Sequence, residues 1–442
     1  MKILLIDQGG FMLDFALRAQ ADGHTVKWFI RRVERTKDIG RGLLEAPSGF
    51  VDEWQGWMRW ADIVVLSDNT KYLRELDAWR KNEGIKIVGA SVDAGAWELD
   101  RNAGQALMKK CGLSVAKHKE FNRYDDAIAY VKREQKAFVS KPCGDEPDKS
   151  LTYVAKSPAD MVYMLERWKA AKRHKGSFIL QERIKGTEMA VGGWFGPHGF
   201  NKGWHENWEF KKLMAGDTGP ATGEMGTVVR VVRQSKLADT VLKPVEEELH
   251  KIGYVGYVDV NCIIDDQGVP WPLEFTMRPG WPTFNIQMSL LKGDCAEWLR
   301  ALAEGQDDLP FVEDKVAVGV VMAIPDFPFS LFTRKLVTGI PIYNVKPWME
   351  TNLHPCELMQ GSAPHNVEGK VVDLPCMVTA GDYVLVASGT GDSVRTARRR
   401  AYRILETLEV PNSPFWRPDI GDRLRAQLPE IQRMGYAKHL VF

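Results

Sequence analysis

Residues 216–226 contain four glycines, one proline and two threonines within eleven positions. Glycine permits positive φ angles and the close approach of a ligand to the backbone, whereas proline removes a backbone donor. Such a segment can present backbone N–H groups and threonine hydroxyls to an anion. An ordinary surface turn is the alternative. Lys211 and Lys212 lie just before the segment, which favours a binding loop.

Two carboxylates, Asp259 and Glu274, lie within apolar stretches that predict neighbouring strands. The intervening residues 265–268 predict a hairpin turn, so we expect the two side chains to face each other. Burying unpaired carboxylates is costly, and a divalent cation such as magnesium would offset that cost. A salt bridge to Arg278 or to a lysine is the alternative.

Three lysines and one extended segment could bind a nucleotide. Lys141 ends a predicted strand, Lys149 lies in the polar loop that follows it, and Lys211 precedes the glycine-rich segment. Lysine acts as a point charge for phosphate oxygens. Residues 181–184 could offer backbone groups to a flat base, and Glu188 could accept ribose hydroxyls. Each residue alone could be an ordinary surface group, whereas their combination favours a phosphate site.

Composition excludes several classes of function. The net charge of the 442 residues is +1, which favours neither nucleic acid nor an anionic membrane as a partner. Six scattered cysteines without a CxxC pair fit a reducing cytosol, so we expect a cytoplasmic protein. No run of ~20 apolar residues predicts a membrane span, and the amino terminus does not resemble a signal peptide. A Walker A loop and a kinase motif set are also absent.

The order of predicted elements indicates a multidomain protein of α/β and α+β class. Apolar strands alternate with helices over residues 1–98, which predicts a Rossmann-like domain with a parallel sheet. Ligands bind beyond the carboxyl ends of such strands, where Gly9 and Gly10 lie. The remaining predicted parts are an α+β domain at 99–310, a β-rich domain at 311–425 and a tail at 426–442.

Several strings resemble those of the glycinamide ribonucleotide synthetase (phosphoribosylamine–glycine ligase) family, within the ATP-grasp superfamily. Residues 217–226, DTGPATGEMG, are similar to the family's DTGPNTGGMG loop, and LEFTMR at 273–278 resembles its EFNxRFGDPE segment. Residues 7–10, 317–323 and 397–402 also match, as does RPDIG at 417–421. The resemblance extends to about Arg423. It implies that the domain at 99–310 has the ATP-grasp fold, with a nucleotide-covering subdomain at about 113–190.

The resemblance also implies roles for individual residues. Lys141 and Lys149 would contact ATP phosphates, Gln181, Glu182 and Ile184 would lie beside the adenine, and Glu188 would hold the ribose. Glu274 and Thr276 would bind the metal, together with Asp259, which resembles the first metal carboxylate of D-alanine–D-alanine ligase. Lys211, Asp217 and Arg278 would act at the reacting groups. The substrates would contact Gly9, Gly10, Thr218, Gly219, Pro220, Thr222, Gly223 and Gly226.

The chain departs from the family pattern where the amine would bind. The family's GGREHA segment reads GGFMLD at residues 9–14, which lacks the arginine, glutamate and histidine. Thr276 replaces the metal-site asparagine, and FGDPE becomes PGWPT at 279–283. The AAGKG glycines of the covering loop are replaced by Asp145, Glu146 and Asp148, although Lys149 keeps the lysine position.

The resemblance implies an ATP-dependent ligase that joins a carboxylate to an amine through an acyl phosphate, with magnesium or manganese. Glycine and 5-phosphoribosylamine are the leading substrates, and we expect a monomer or homodimer that binds small molecules. One alternative is the same chemistry on a different amino acid and a different amine. A second alternative is an inactive nucleotide-binding scaffold.

Overall fold

A computed structural model describes residues 1–69, 71–143, 152–173, 176–307, 310–325, 327–329, 337–411 and 413–442. The first part contains β1 (Lys2–Ile6), α1 (Leu13–Ala21), β2 (Thr25–Phe29), β3 (Gly49–Val51), β4 (Ile63–Leu66), α2 (Leu73–Glu83), β5 (Ile87–Val88) and α3 (Val92–Leu99). The second contains α4 (Arg101–Lys110), β6 (His118–Phe121), α5 (Tyr124–Glu134), β7 (Phe138–Pro142), β8 (Tyr153–Val154), α6 (Pro158–Ala170) and β9 (Phe178–Glu182).

The rest of the chain is richer in strands. The third part contains β10 (Thr187–Gly196), β11 (Gly199–Phe200), β12 (Trp204–Glu209), β13 (Lys212–Met214), β14 (Thr218–Ala221), β15 (Gly226–Val232), α7 (Lys236–Val241), α8 (Glu246–Lys251), β16 (Gly256–Ile264), β17 (Pro270–Thr276), α9 (Thr283–Met288) and α10 (Cys295–Ala303). The fourth contains β18 (Val316–Ala323), β19 (Leu353–Pro355), β20 (Leu358–Val367), β21 (Lys370–Thr379), β22 (Tyr383–Gly391), α11 (Val394–Thr407), β23 (Phe415–Trp416) and α12 (Leu424–Arg433).

The predicted amino-terminal parallel sheet is confirmed. Its strand order is β3-β2-β1-β4-β5, with parallel pairing throughout. The apolar run of β1 is buried because helices cover the faces of such a sheet. Asp7 and Ser67 follow the ends of β1 and β4, at the edge where ligands bind in sheets of this kind.

A separate small layer precedes the central sheet. Strands β6, β9, β7 and β8 form an antiparallel sheet in that order. Helices α5 and α6 pack together, and their apolar side chains share a core with the sheet, including Val131, Phe138 and Leu165. This layer carries Lys141 and Gln181, which were both predicted to contact the nucleotide.

The described residues form one large antiparallel sheet in the order β17-β16-β10-β12-β15-β18-β22-β19, with β11 and β23 at its side. This sheet continues across the predicted boundary between residues 310 and 311, because β15 pairs with β18 from Gly226↔Val320 to Arg230↔Val316. The domain limits stay a prediction, and strands on both sides of that limit share one sheet. None of the described helices is long and apolar enough to cross a membrane.

One predicted helix is interrupted. The apolar pattern at 237–252 predicts a single helix, but α7 ends at Val241, and a short 3-10 turn at Lys243–Val245 separates it from α8. Pro244 lies in that turn. Proline removes an intrahelical hydrogen bond and clashes with the preceding turn, which explains the break.

Candidate active site

One face of the large sheet collects polar side chains from four adjacent strands. Ala190 of β10 lies opposite both Asn207 of β12 and Asn261 of β16. Residues two apart on a strand share a face. The polar residues of this face, called the acidic face below, are Glu188, Asn207, Glu209, Asp259, Asn261, Glu274 and Thr276.

The expected pairing of the two carboxylates is wrong by two residues. Asp259 lies opposite Thr276, and Glu274 lies opposite Asn261, so the two carboxylates are diagonal neighbours on the same face. The register of β16 and β17 shifts between Asn261 and Cys262. A bulge of this kind changes which residues oppose each other, and turn length alone does not reveal it.

Glu274 lies among cations. Its Oε2 is 3.1 Å from Arg101, and its Oε1 is 3.5 Å from Lys211. Burial acts to raise the pKa of Glu274, but the charges of Lys211, Arg101 and Lys141 outweigh it and hold that pKa well below its usual value. Glu274 is therefore ionised. Arg101 begins α4, and no spacing in the sequence pointed to it.

Asp259 has a different environment. Its Oδ2 accepts hydrogen bonds from Asn207 Nδ2 at 2.7 Å and from Tyr257 Oη at 3.1 Å. Burial, together with the charge of Glu209, raises the pKa of Asp259 to about 7. Gly192 lies opposite Asp259, and a Cβ there would lie 2.0 Å from Tyr257 Oη and 2.8 Å from Asp259 Oδ2, so glycine leaves room for both groups.

Lys141 reaches the same site from the small sheet. It is 8% exposed, near the end of β7. Burial, with the positive charges of Arg101 and Lys211, lowers the pKa of Lys141 to about 8, whereas Glu274 and Glu188 act to raise it. The structure therefore brings Lys141 near Glu274. Lys149 and the loop carboxylates Asp145, Glu146 and Asp148 lie outside the described residues.

The predicted nucleotide segment runs from β9 to the acidic face. Gln181 is 3% exposed within β9, and Glu182 forms an ion pair with Lys136 at 2.8 Å. Ile184 follows the end of the strand and is half-buried. Glu188 Oε1 accepts a hydrogen bond from Asn261 Nδ2 at 3.0 Å, which places this carboxylate on the acidic face.

The glycine-rich segment forms a hairpin in which β13 pairs with β14. Gly216, Asp217 and Gly219 have φ values of 68°, 54° and 75°. Thr222 anchors the far end, because its backbone N–H and its hydroxyl both donate to the Lys211 carbonyl, at 2.8 and 2.9 Å. The other predicted contacts, Thr218, Pro220, Gly223 and Gly226, lie along the same segment.

Asp217 is engaged by the carboxyl-terminal part of the chain. Its carboxylate is 2.8 Å from Arg417 and 3.5 Å from Arg423. Lys211, by contrast, reaches the acidic face, where it lies 2.9 Å from Glu209. The structure thus brings Lys211 to the acidic face, whereas Asp217 contacts the carboxyl-terminal arginines. A catalytic role for Asp217 stays a prediction.

In the loop after β1, the backbone N–H groups bind a carboxylate of the same loop. Backbone N–H groups of residues 10–12 donate to the Asp7 carboxylate at 2.8–3.1 Å. The Phe11 ring stacks on Trp281 with centroids 5.5 Å apart, and a Cβ on Gly9 would lie 2.1 Å from the Phe11 ring. Three N–H groups that could have bound an anion therefore bind an internal carboxylate.

Arg278 lies between the amino-terminal sheet and the acidic face. Its Nε is 3.0 Å from Asp68 and 3.1 Å from Glu98. Burial raises the pKa of Glu98, although the charge of Arg278 opposes that rise. The predicted role of Arg278 in holding a substrate stays a prediction, and in the structure it joins the two sheets.

Sequence reasoning missed five residues of the site: Arg101, Asn207, Glu209, Glu224 and Asn261. Asn261 Nδ2 donates to Glu209 Oε2 at 2.8 Å as well as to Glu188. Three of the five could have been found from the sequence, because Asn207, Glu209 and Asn261 alternate with apolar residues on β12 and β16. Glu224 could have been noticed as a carboxylate within the glycine-rich segment.

The fold, with a small antiparallel layer beside a large sheet whose face carries lysines and carboxylates, resembles that of ATP-grasp proteins. Residues 100–283 match the family model described as phosphoribosylglycinamide synthetase, ATP-grasp (A) domain. The chain is 27% identical over 356 residues to phosphoribosylamine–glycine ligase of Ralstonia nicotianae, covering 77% of this chain and 79% of the relative.

Further comparisons extend over the full length. The phosphoribosylamine–glycine ligase of Escherichia coli O157:H7 is 25% identical over 446 residues, covering 96% of this chain and 98% of the relative. The solved structure of the Thermotoga maritima enzyme of that name has a TM-score of 0.70 at 20% identity and covers 95% of this chain and 100% of that chain. The predicted resemblance to ATP-grasp proteins, and among them to phosphoribosylamine–glycine ligase, is confirmed.

Proposed function

We propose that this protein is an ATP-dependent carboxylate–amine ligase of the phosphoribosylamine–glycine ligase type. The observation that carries the proposal is the convergence of Lys141, Lys211 and Arg101 around Glu274, with Asp259 beside it on one face of the sheet. Cations in this arrangement suit the phosphates of a nucleotide, and the names of the relatives supply the reaction class.

The reaction runs in two steps. A carboxylate oxygen of the first substrate takes the γ-phosphoryl group of ATP, which gives an acyl phosphate and ADP. The amine nitrogen then attacks the acyl carbon, the bond to the phosphate oxygen breaks, and the nitrogen loses a proton to leave an amide. Phosphoryl transfer depends on positioning and on charge neutralisation, which Lys141 and Lys211 supply here.

A divalent metal fits the donor set of the site. Glu274, Asp259 and the Thr276 hydroxyl are hard oxygen donors of the kind that magnesium prefers, and manganese accepts the same set. A bound ion would neutralise phosphate charge during transfer. Within the chain, Arg101 and Lys211 keep Glu274 ionised and therefore able to bind a cation.

The test is ADP release by the purified protein with magnesium ATP and glycine, with and without freshly generated 5-phosphoribosylamine. Release that requires both substrates is the expected result for the leading pair. The residues proposed to contact these substrates are Arg278 and the segment 218–226. Absence of release with every amino acid and amine tried would contradict the ligase and favour the scaffold.

A second candidate keeps the chemistry and changes the amine. The observation that favours it is the loop after β1, where Asp7 occupies the N–H groups of residues 10–12 and the Phe11 ring stacks on Trp281. A phosphate is hard to hold without a free donor or an arginine. ADP release with glycine and an unphosphorylated amine, but not with 5-phosphoribosylamine, would select this candidate.

A further inference from the structure

Glu224 is a buried carboxyl to which the proposed mechanism gives no individual role. It lies in the chain between β14 and β15, and the residue is 6% exposed. Among the described residues, its Oε1 has no hydrogen-bond partner. The family loop motif DTGPNTGGMG, which residues 217–226 resemble, has glycine at this position, so the carboxyl distinguishes this chain.

The acidic face, whose carboxylates Glu209, Asp259 and Glu188 are electrostatic neighbours of Glu224, carries further acceptors without a partner. On the acidic face, Asn207 Oδ1 and Asn261 Oδ1 are also buried without a hydrogen-bond partner among the described residues. All three atoms accept hydrogen bonds. Leaving a buried acceptor unpaired costs about 1–3 kcal/mol. A group of buried acceptors fits a ligand that supplies several N–H or O–H donors.

The charged groups around Glu224 also favour a ligand that donates hydrogen bonds. The ionisable neighbours of Glu224 are Glu209, Asp259 and Glu188, with Lys211 as the one cation named among them. Lys211 already contacts Glu209 at 2.9 Å and Glu274 at 3.5 Å. Burial, together with the charge of Glu209, raises the pKa of Glu224 well above its usual value, and a positively charged ligand at this place would favour the ionised carboxylate.

The backbone on both sides of Glu224 is fixed. Thr222 donates two hydrogen bonds to the Lys211 carbonyl, and the Met225 N–H donates to the Phe210 carbonyl at 2.8 Å. These hydrogen bonds to residues 210–211 hold the backbone on both sides of Glu224 in place. Binding a ligand therefore requires little further ordering of this segment. Such preorganisation suits a binding group.

The acceptors of this group suit an ammonium. A primary ammonium presents three diverging N–H donors, each of which can meet one oxygen acceptor. The buried oxygens concerned are Glu224 Oε1, Asn207 Oδ1 and Asn261 Oδ1. Binding of magnesium alone is the competing outcome of the test.

We propose that Glu224, with the side-chain oxygens of Asn207 and Asn261, binds the primary ammonium group of the amino-acid substrate. This inference rests on the proposed ligase function, because it supposes an amino acid as the carboxylate substrate. The site then selects a free amino acid and rejects the corresponding N-acetylated one. Holding the ammonium here leaves the substrate carboxylate free to meet ATP at Lys141.

The first experiment measures binding without turnover. Thermal unfolding of the full chain is followed with each standard amino acid, with the N-acetyl form of any amino acid that stabilises it, and with magnesium chloride alone. We expect stabilisation by at least one free amino acid and none by its N-acetyl form. Glu224→Gln should weaken that binding about 10- to 100-fold, the loss expected for one hydrogen bond to a charged group.

Controls keep the result interpretable. Glu247→Gln changes an exposed glutamate on α8 and should bind like the parent protein. Glu224→Gly restores the residue of the family motif and serves as a second variant if Glu224→Gln unfolds. Unchanged amino-acid binding in the folded Glu224 variant would overturn the inference. So would equal binding of the N-acetyl form, a Glu224-dependent shift with magnesium alone, or no stabilisation by any amino acid.

The second experiment separates this inference from the proposed function. In ADP-release assays, Glu224→Gln should raise the KM for the amino acid at least about tenfold and leave the KM for ATP unchanged. Turnover with an unaltered KM for the amino acid would count against Glu224 alone. Intact Glu224-dependent binding without any ADP release would count against the ligase function alone.

Discussion

At the scale of single residues, burial decides which side chains of the site are charged. Lys141 and Asp259 both lie where water is largely excluded, and burial moves their pKa values in opposite directions, to about 8 and about 7. The Glu274 side chain is 39% exposed and has three cations around it, so its pKa falls. The neighbouring positive charge outweighs the effect of burial on the pKa at Glu274 but not at Asp259.

The first residue-scale prediction concerns Lys141. Lys141→Ala removes the buried cation nearest the proposed phosphates, so kcat should fall about 10²–10³-fold or the KM for ATP should rise. Steady-state ADP release measures both. Lys109→Ala, an exposed lysine near the end of α4, is the matched control and should behave like the parent protein. Equal rates for the two variants would contradict the phosphate assignment.

The second residue-scale prediction concerns His205, whose pKa burial lowers to about 3. Between that value and about 6.5 the unfolded chain binds a proton that the folded chain does not. The free energy of unfolding should therefore fall by about 1.4 kcal/mol for each pH unit on acidification through this window.

Denaturant unfolding at several pH values tests this prediction. His205→Gln cannot take up the proton and should show a shallower loss of stability below about pH 6.5. An exposed histidine, His439→Gln, serves as control. Parallel curves for the parent and the His205 variant would show that another group causes the acid sensitivity.

At the scale of elements, the glycine-rich hairpin depends on the carboxyl-terminal segment. Arg417 is 1% exposed in its side chain, contacts Asp217 and Asp419, and donates to the Lys212 carbonyl at 2.9 Å. Arg423 donates to the Glu209 carbonyl at 2.6 Å and lies over the Phe210 ring. These contacts fix the backbone on both sides of Lys211.

The element-scale prediction is that Arg417→Ala displaces this hairpin. Removing one partner from a buried ion pair costs about 3–5 kcal/mol, and the cost here should be lower because Asp217 is 47% exposed. Unfolding midpoints and ADP release measure the two effects. Asp217→Asn keeps a hydrogen-bond acceptor for Arg417 and should be milder. Arg417→Ala with unchanged turnover would mean that the hairpin holds its position without Arg417.

At the scale of the whole molecule, a buried polar network joins distant parts of the chain. His354 of β19 lies 2.8 Å from Asp14 of α1 and 2.9 Å from Ser388 of β22, and Arg18 also contacts Asp14. Burial, which outweighs the charge of Asp14, lowers the pKa of His354, so the ring is neutral. The network connects the amino-terminal sheet with the carboxyl-terminal strands.

The molecule-scale prediction is that Asp14 and His354 are energetically coupled. A double-mutant cycle with Asp14→Asn and His354→Gln should give a coupling energy of about 0.5–3 kcal/mol, as found for residues in one hydrogen-bond network. The coupling energy is measured by denaturant unfolding of the parent, the two single variants and the double variant. Additive effects would mean that the contact between Asp14 and His354 does not help to hold the two parts of the chain together.

The sequence by itself determined the local elements and the class of site. The apolar runs at 2–7, 25–30, 63–67 and 256–264 predict strands, and β1, β2, β4 and β16 agree with them almost to the residue, because strand burial depends on local pattern. Lys141, Glu188, Lys211, Asp259 and Glu274 were identified from type and spacing, with the family resemblance, and the structure gathers them. Helix 237–252 was predicted whole although Pro244 breaks it.

Only the tertiary structure decided the pairings. The bulge at Leu273 of β17 set Asp259 opposite Thr276, and the sheet register placed Asn207, Asn261 and Glu209 on the acidic face. Likewise, the contact between Arg417 and Asp217 joins residues far apart in sequence and could be seen only in the tertiary structure. The physical reason is that charge states and partners depend on contacts between residues far apart in sequence, and their geometry follows from packing rather than from local propensity.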